Sequence, residues 1–196
     1  NATPLKEVLI DPVVPDSVKY KLRLVQEVKT FAFESLSLTP NNAYSTVYNQ
    51  KGNPLLHNVT ACQPYELEDY TWYFPVLGEV SYKGFFDSTL LQQEVDHLKK
   101  NDLDIGIREV TAWSTLGWFN DPILTNFLNR SDGQIANLII HELTHGTVYI
   151  KDDVYFNENL ANFIGDQGAR LFLKKHFSKN PEKLNEYINQ QKNDSI

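Results

Sequence analysis

The segment His141-Glu142-Leu143-Thr144-His145 places two imidazoles and a carboxylate in little more than one helical turn. On an α-helix, residues four apart lie on one face, one turn above the other, so His141 and His145 can aim at a common point. Zinc accepts neutral imidazole nitrogen at about 2.0–2.1 Å, and this spacing suits that geometry. Glu142 is rotated roughly 100° from His141. It can reach a water on such a metal without being a ligand, take the water's proton and hand it to a leaving amine. The chemistry on offer is metal-assisted hydrolysis. The competing reading is a buried helix whose histidines bond to backbone carbonyls. Leu138, Ile139, Ile140 and Leu143 predict a helix buried nearly all round. Unpartnered histidine and glutamate would be costly there, and a metal would give them partners.

A hydrolytic zinc needs a third protein ligand and an open position. The pattern HExxHxxGxxH is absent, because Val148 and Lys151 stand where its glycine and histidine would be. Glu158, in FNENLANFIGDQGA, is the candidate, and the loop KDDVYF gives the chain room to turn back. Glu158, Ala161, Gly165 and Gly168 recur at helical spacing and form a stripe of small side chains beside the glutamate. Each glycine costs about 1 kcal/mol against alanine within a helix. Close approach to the helix bearing His141 is the expected reason. The alternative is that the helix breaks near Gly165. Asp152 and Asp153 are rival ligands on the loop. Asn162, one turn after Glu158, can accept a bond from the far nitrogen of a ligating histidine and fix its tautomer.

Several elements must position these groups. Ser131 and Gln134 form a capping box that starts the metal helix. Asn157 is the expected cap of the next helix, which runs to about Phe177. Asp16-Ser17 cap a helix reaching about Leu36, with Val18, Leu22, Val25, Val28 and Phe31 on one face. The aromatic segment Tyr65–Asp87, punctuated by Pro75, Gly78 and Gly84, reads as strands and turns. Asp87-Ser88 cap a helix to about Lys100, and a short strand follows from Ile105 to Trp113. Asp121-Pro122 is expected to open a short helix. Residues 1–15, interrupted by Pro4, Pro12 and Pro15, read as an extended arm. Residues 178–196 read as a polar helix and tail opened by Pro181. Together these predict an α+β fold with residues 1–196 as a single domain. A small, mostly antiparallel sheet is expected to pack on the metal helix and the glutamate-bearing helix.

The chain has 196 residues and a formal net charge of −7. That charge argues against a nucleic-acid partner, which needs a basic surface to neutralise phosphates. No window holds the roughly 18 apolar residues of a membrane span. The single cysteine, Cys62, excludes an internal disulfide. The absence of methionine predicts a processed or trimmed chain, and a removed signal or lipid-anchor segment could have tethered it to a membrane.

HELTH followed by NENLA resembles the gluzincin zinc peptidases, whose ligands are two histidines and a downstream glutamate. More narrowly, four blocks resemble the bacterial "putative aminopeptidase" family: Val25–Tyr48, Tyr65–Asp87, Val110–Leu124 and Leu138–Ala169. The resemblance implies a zincin-like metallopeptidase holding one zinc per chain on His141, His145 and Glu158, with Glu142 as general base. It implies a peptide or protein substrate and favours the cell envelope or periplasm. The GxMxN-type motif of well-known gluzincin aminopeptidases is missing, so cleavage from the amino end follows from the family name alone. In many zinc peptidases the substrate pairs with an edge strand before the metal helix. Ala112, Trp113, Ser114 and Thr115 are the candidates for that role here. An oxyanion donor besides zinc is also expected, and Tyr155 is the candidate over Tyr149 and Tyr82. The alternative function is a non-catalytic envelope protein that keeps the fold but binds a peptide or partner.

Overall fold

The computed structural model describes residues 2–52, 56–66, 68–74, 78–110, 121–151 and 153–194. In chain order its elements begin with β1 (Thr3–Pro4), α1 (Leu5–Ile10), α2 (Asp16–Ser35), β2 (Thr46–Tyr48) and β3 (Leu56–Cys62). Next come β4 (Trp72–Phe74), β5 (Gly78–Val80), β6 (Lys83–Phe85), α3 (Ser88–Lys100) and β7 (Asp104–Val110). After β8 (Ile123–Leu124) and a 3-10 turn (Thr125–Asn129) follow α4 (Asp132–His145), α5 (Val154–His176) and α6 (Glu182–Asp194). The chain divides into two compact units, one comprising Asn1–Asn49 with Ser114–Ile196, the other Gln50–Trp113.

The Gln50–Trp113 unit is built on β3, which pairs antiparallel with β6 on one side and β7 on the other. The pair β4–β5 is also antiparallel, with Tyr73 opposite Glu79. Asp87 caps α3 by accepting the N–H groups of Thr89 and Leu90 at 2.7 and 3.1 Å. Amphipathic spacing on α3 turns Val95 and Leu98 inward. Leu98 joins Val59, Ala61, Trp72 and Phe85 in a small core.

The unit containing α4 is mostly helical. Its sheet has strands of two or three residues, with β2 antiparallel to β1 and parallel to β8. Leu22, Val25 and Val28 of α2 meet Ile135, Ile139, Ile140 and Leu143 of α4 in the main core. No residue of α4 is exposed, as its apolar flanks require. The last helix, α6, is polar in composition but not loosely attached. Tyr187 is fully buried, and a Cβ on Gly133 would lie 2.5 Å from its ring. The Asn137 amide donates to its hydroxyl at 2.6 Å, and that hydroxyl donates to Asp166 at 3.0 Å. One tyrosine thus bonds α6 to both α4 and α5.

The cap expected at Asp16-Ser17 and two expected elements differ. The helix α2 begins at Asp16 itself, after Pro15, with no side-chain cap bond. Residues 5–10 form α1 rather than part of an extended arm, because Pro4 ends the preceding strand and Leu5 is buried. Asp121-Pro122 does not open an α-helix. The Asp121 carbonyl accepts the Tyr44 N–H at 2.7 Å, and Ile123–Leu124 extends into β8 beside β2 before the 3-10 turn. Cross-strand pairing overrides the local helix-start signal.

Candidate metal centre

The capping box forms as expected. Ser131 Oγ accepts the Gln134 N–H at 3.3 Å, and Gln134 Oε1 accepts the Ser131 N–H at 3.1 Å. That fixes the start of α4 and hence the rotation of His141 and His145. The helix ends at His145, with Gly146 as its C-cap, so Tyr149 lies beyond the metal helix. The chain then returns sharply. Asp153, not Asn157, caps α5, accepting the Phe156 N–H at 3.0 Å. This use removes Asp153 from the rival ligands, and Asp152 lies outside the described residues. Asn157 is buried inside the first turn. It accepts the Ile150 N–H at 2.8 Å and donates to the Ile150 carbonyl at 2.7 Å, closing the loop onto the helix.

The helix α5 runs unbroken through Gly165 and Gly168. A Cβ at Gly165 would lie 2.7 Å from Asn137 Oδ1 and 3.2 Å from the His141 Cβ. One at Gly168 would lie 3.0 Å from Ile140. The small stripe therefore permits the close approach. Glu158 lies beside His141 and His145, whereas Gly165, two turns later, lies beside Asn137 and His141, so the two helices run antiparallel.

His141 Nε2 and His145 Nε2 are 3.1 Å apart. Glu158 Oε2 is 3.5 Å from the first, and Oε1 is 3.4 Å from the second. Neither ring follows the alternative of bonding only to backbone. Burial lowers the pKa of His141, opposed by the Glu158 charge and a side-chain hydrogen bond to Asn162. Burial also lowers that of His145, reinforced by His141 and opposed by Glu158 and Glu142. Both rings are thereby biased toward the neutral, lone-pair-bearing form that a metal requires. His145 Nδ1 is buried without a hydrogen-bond partner among the described residues.

These donors fit a tetrahedral cation. Two ligand atoms each about 2.0–2.1 Å from one zinc at a tetrahedral angle are separated by about 3.3–3.4 Å. The separations here, 3.1 to 3.5 Å, bracket that value. Among the described residues, His141, His145 and Glu158 are the group of histidine and carboxylate side chains close enough to share an ion.

Glu142 is partly buried on the same helix. Its charge is felt by Tyr44, a residue sequence reasoning missed. Burial raises the Tyr44 pKa well above the ordinary value, and Glu142 and Asp121 raise it further. The phenol is thus held neutral near the proposed base. Tyr44 occupies an irregular segment with φ of 62°, and no periodicity in NNAYST marks it. Tyr155 lies within the first turn of α5, not in the loop before it, and is 83% exposed. Ala112, Trp113, Ser114 and Thr115 lie outside the described residues. The strand leading to them, β7, is an outer strand of its sheet. His97 is exposed on α3, while His176 stacks on Phe172 and sits 3.2 Å from Glu27.

No curated protein and no solved structure matches this chain. All of residues 1–196 match the family described as "Putative aminopeptidase", whose name denotes a peptidase. The sequence as a whole, including every residue of the His141–His145–Glu158 cluster, thus places the chain in the putative aminopeptidase family.

Proposed function

We propose that the chain is a zinc-dependent peptidase of zincin type, holding one zinc on His141, His145 and Glu158 and using Glu142 as general base. The observation that carries this reading is the approach of all three donor side chains to within 3.1–3.5 Å of one another, from α4 and α5. Zinc bound there would supply Lewis acidity toward the scissile carbonyl and the attacking water. The chain's own groups do the rest. His141 and His145, kept neutral by burial, present nitrogen lone pairs. Asn162 holds the His141 ring through its hydrogen bond. Glu142 accepts the proton of the attacking water and delivers it to the leaving amine. The apolar packing around α4 limits water on the core side, which strengthens the electrostatic interactions of these groups. The family name supports removal of residues from the amino end.

Elemental analysis of purified protein tests the metal, with about one zinc per chain expected and its loss in His141→Ala. Glu142→Gln tests the chemistry. Hydrolysis of a peptide library should fall by about 10²–10⁴-fold while zinc is retained. Unchanged hydrolysis in Glu142→Gln would refute the assigned base, and a mass-spectrometric read of the products reports end preference.

A further inference from the structure

We propose that the exposed apolar ridge Val148, Tyr149, Ile150, Val154, Tyr155 and Phe156 receives a bulky apolar side chain of the peptide substrate beside the His141–His145–Glu158 cluster. The proposal rests on the reading of that cluster as a peptidase centre.

The ridge is unusual in what it shows to water. Its six side chains are 41–83% exposed. Single exposed apolar residues are ordinary, but six of them within the nine residues 148–156 are a concentration that points to an interaction surface. Its position relative to the cluster follows from helical spacing. Val154 and Tyr155 lie four and three residues before Glu158 on α5, so they share its face. The Glu158 side chain is itself 48% exposed, which leaves that face open to a ligand.

The ridge is also held in place. Asn157, only 2% exposed, fastens the Ile150 backbone through both its N–H and its carbonyl. Asp153 caps the first turn of α5. Asn157 and Asp153 are thus engaged in folding this loop, while the apolar side chains of the six residues are exposed. Surface loops usually do the reverse. Binding sites for small ligands combine apolar and aromatic walls with a few placed polar groups. The ridge supplies such a wall, and the cluster supplies the polar groups.

The charges nearby favour a peptide over a lipid surface. Membrane-seeking apolar faces are flanked by lysine and arginine. Between His145 and Arg170 the sequence has one basic residue, Lys151, against Asp152, Asp153, Glu158 and Asp166.

The test uses binding rather than turnover. Matched pentapeptides carrying leucine or phenylalanine against serine are titrated calorimetrically into the zinc-loaded Glu142→Gln protein. The apolar peptides should bind about tenfold more tightly, the scale of apolar pocket discrimination. Adding Tyr155→Phe should keep the preference, because the ring and not the hydroxyl makes the contact. Adding Val154→Ser with Tyr155→Ser should reduce it below about threefold, with the thermal midpoint unchanged because both side chains stand in water. Equal binding of both peptide types, binding of neither, or a preference that survives the double serine variant would overturn the proposal. So would cosedimentation with mixed neutral and anionic phospholipid vesicles that the double serine variant abolishes. Library cleavage by the unsubstituted protein without apolar preference would defeat this inference and leave the proposed function intact. Absence of zinc or of hydrolysis would defeat the latter instead.

Discussion

At the N-terminal end of α4 the Asp132 carboxylate, with its side chain 1% exposed, is met by Lys21 at 2.6 Å, Lys183 at 2.9 Å and the Tyr20 hydroxyl at 2.7 Å. At the C-terminal end, His141 and His145 face each other and Glu158, and His145 Nδ1 has no partner among the described residues. Both groups are polar clusters within one apolar unit. The first completes its bonds with its own chain and ties α2 and α6 to α4. The second gathers lone pairs from three side chains, which the proposed zinc would share. A buried polar cluster left incomplete is the better pointer to function, because burial makes incompleteness costly.

Substitutions at the two ends should therefore have separable effects. Asp132→Ala should destabilise the protein by about 3 kcal/mol, at the lower end for a broken buried pair because Lys21 and Lys183 can turn toward solvent. Urea denaturation measures this, and the zinc affinity of the folded protein should not change. The same carboxylate gives a pH signature. Burial alone would raise its pKa, but the bonds from Lys21, Lys183 and Tyr20 outweigh that and hold it below the ordinary value. Its stabilising contribution is thus complete above the unfolded-state pKa near 3.8. It is lost as pH falls through the lower folded-state value. Acid unfolding of Asp132→Asn should lack that component.

Glu158→Ala should weaken zinc binding by on the order of 100-fold, the upper end of what outer-shell changes cost. Chelator competition reads this, and metal-free stability should stay within about 0.5 kcal/mol because the carboxylate is half-exposed. Equal zinc affinity in parent and variant would remove Glu158 from the ligand set. Asn162→Ala, which deletes only a bond to a ligand, should cost about tenfold in zinc affinity. The smallest expected effect belongs to Gly165→Ala. The new Cβ would crowd Asn137 and His141, while better helix propensity returns about 1 kcal/mol. A net loss of about 1 kcal/mol, with weaker zinc binding, would show that the glycine sets the spacing between helices.

The helical framework of the site was legible in the sequence because its signals are local. Ser131 with Gln134 fixes the start of α4 through bonds spanning three residues. The stripe through Gly165 and Gly168 betrays close packing because only contact justifies two helix-interior glycines. What escaped depends on partners distant in sequence. Asn157 looked like a cap, yet its amide is taken by Ile150, and Asp153 caps instead. Asp121-Pro122 looked like a helix start, but pairing with the segment around Tyr44 decided otherwise. Tyr44 reaches the neighbourhood of Glu142 across half of the chain length, and nothing in its local sequence announces it. Tyr187 sits in a helix so polar that its burial is visible only once Gly133 is seen beneath the ring.

That tyrosine has a consequence for synthesis. Translation delivers α4 and α5 well before residue 187, so the hollow above Gly133 stays unfilled until α6 has left the ribosome. The helix that presents His141 and His145 therefore gains the packing of Tyr187 only after its own chemistry-bearing residues are made. Nascent chains stalled ahead of Tyr187 should be cleaved in α4 by added protease far faster than chains stalled with all of α6 outside the ribosome.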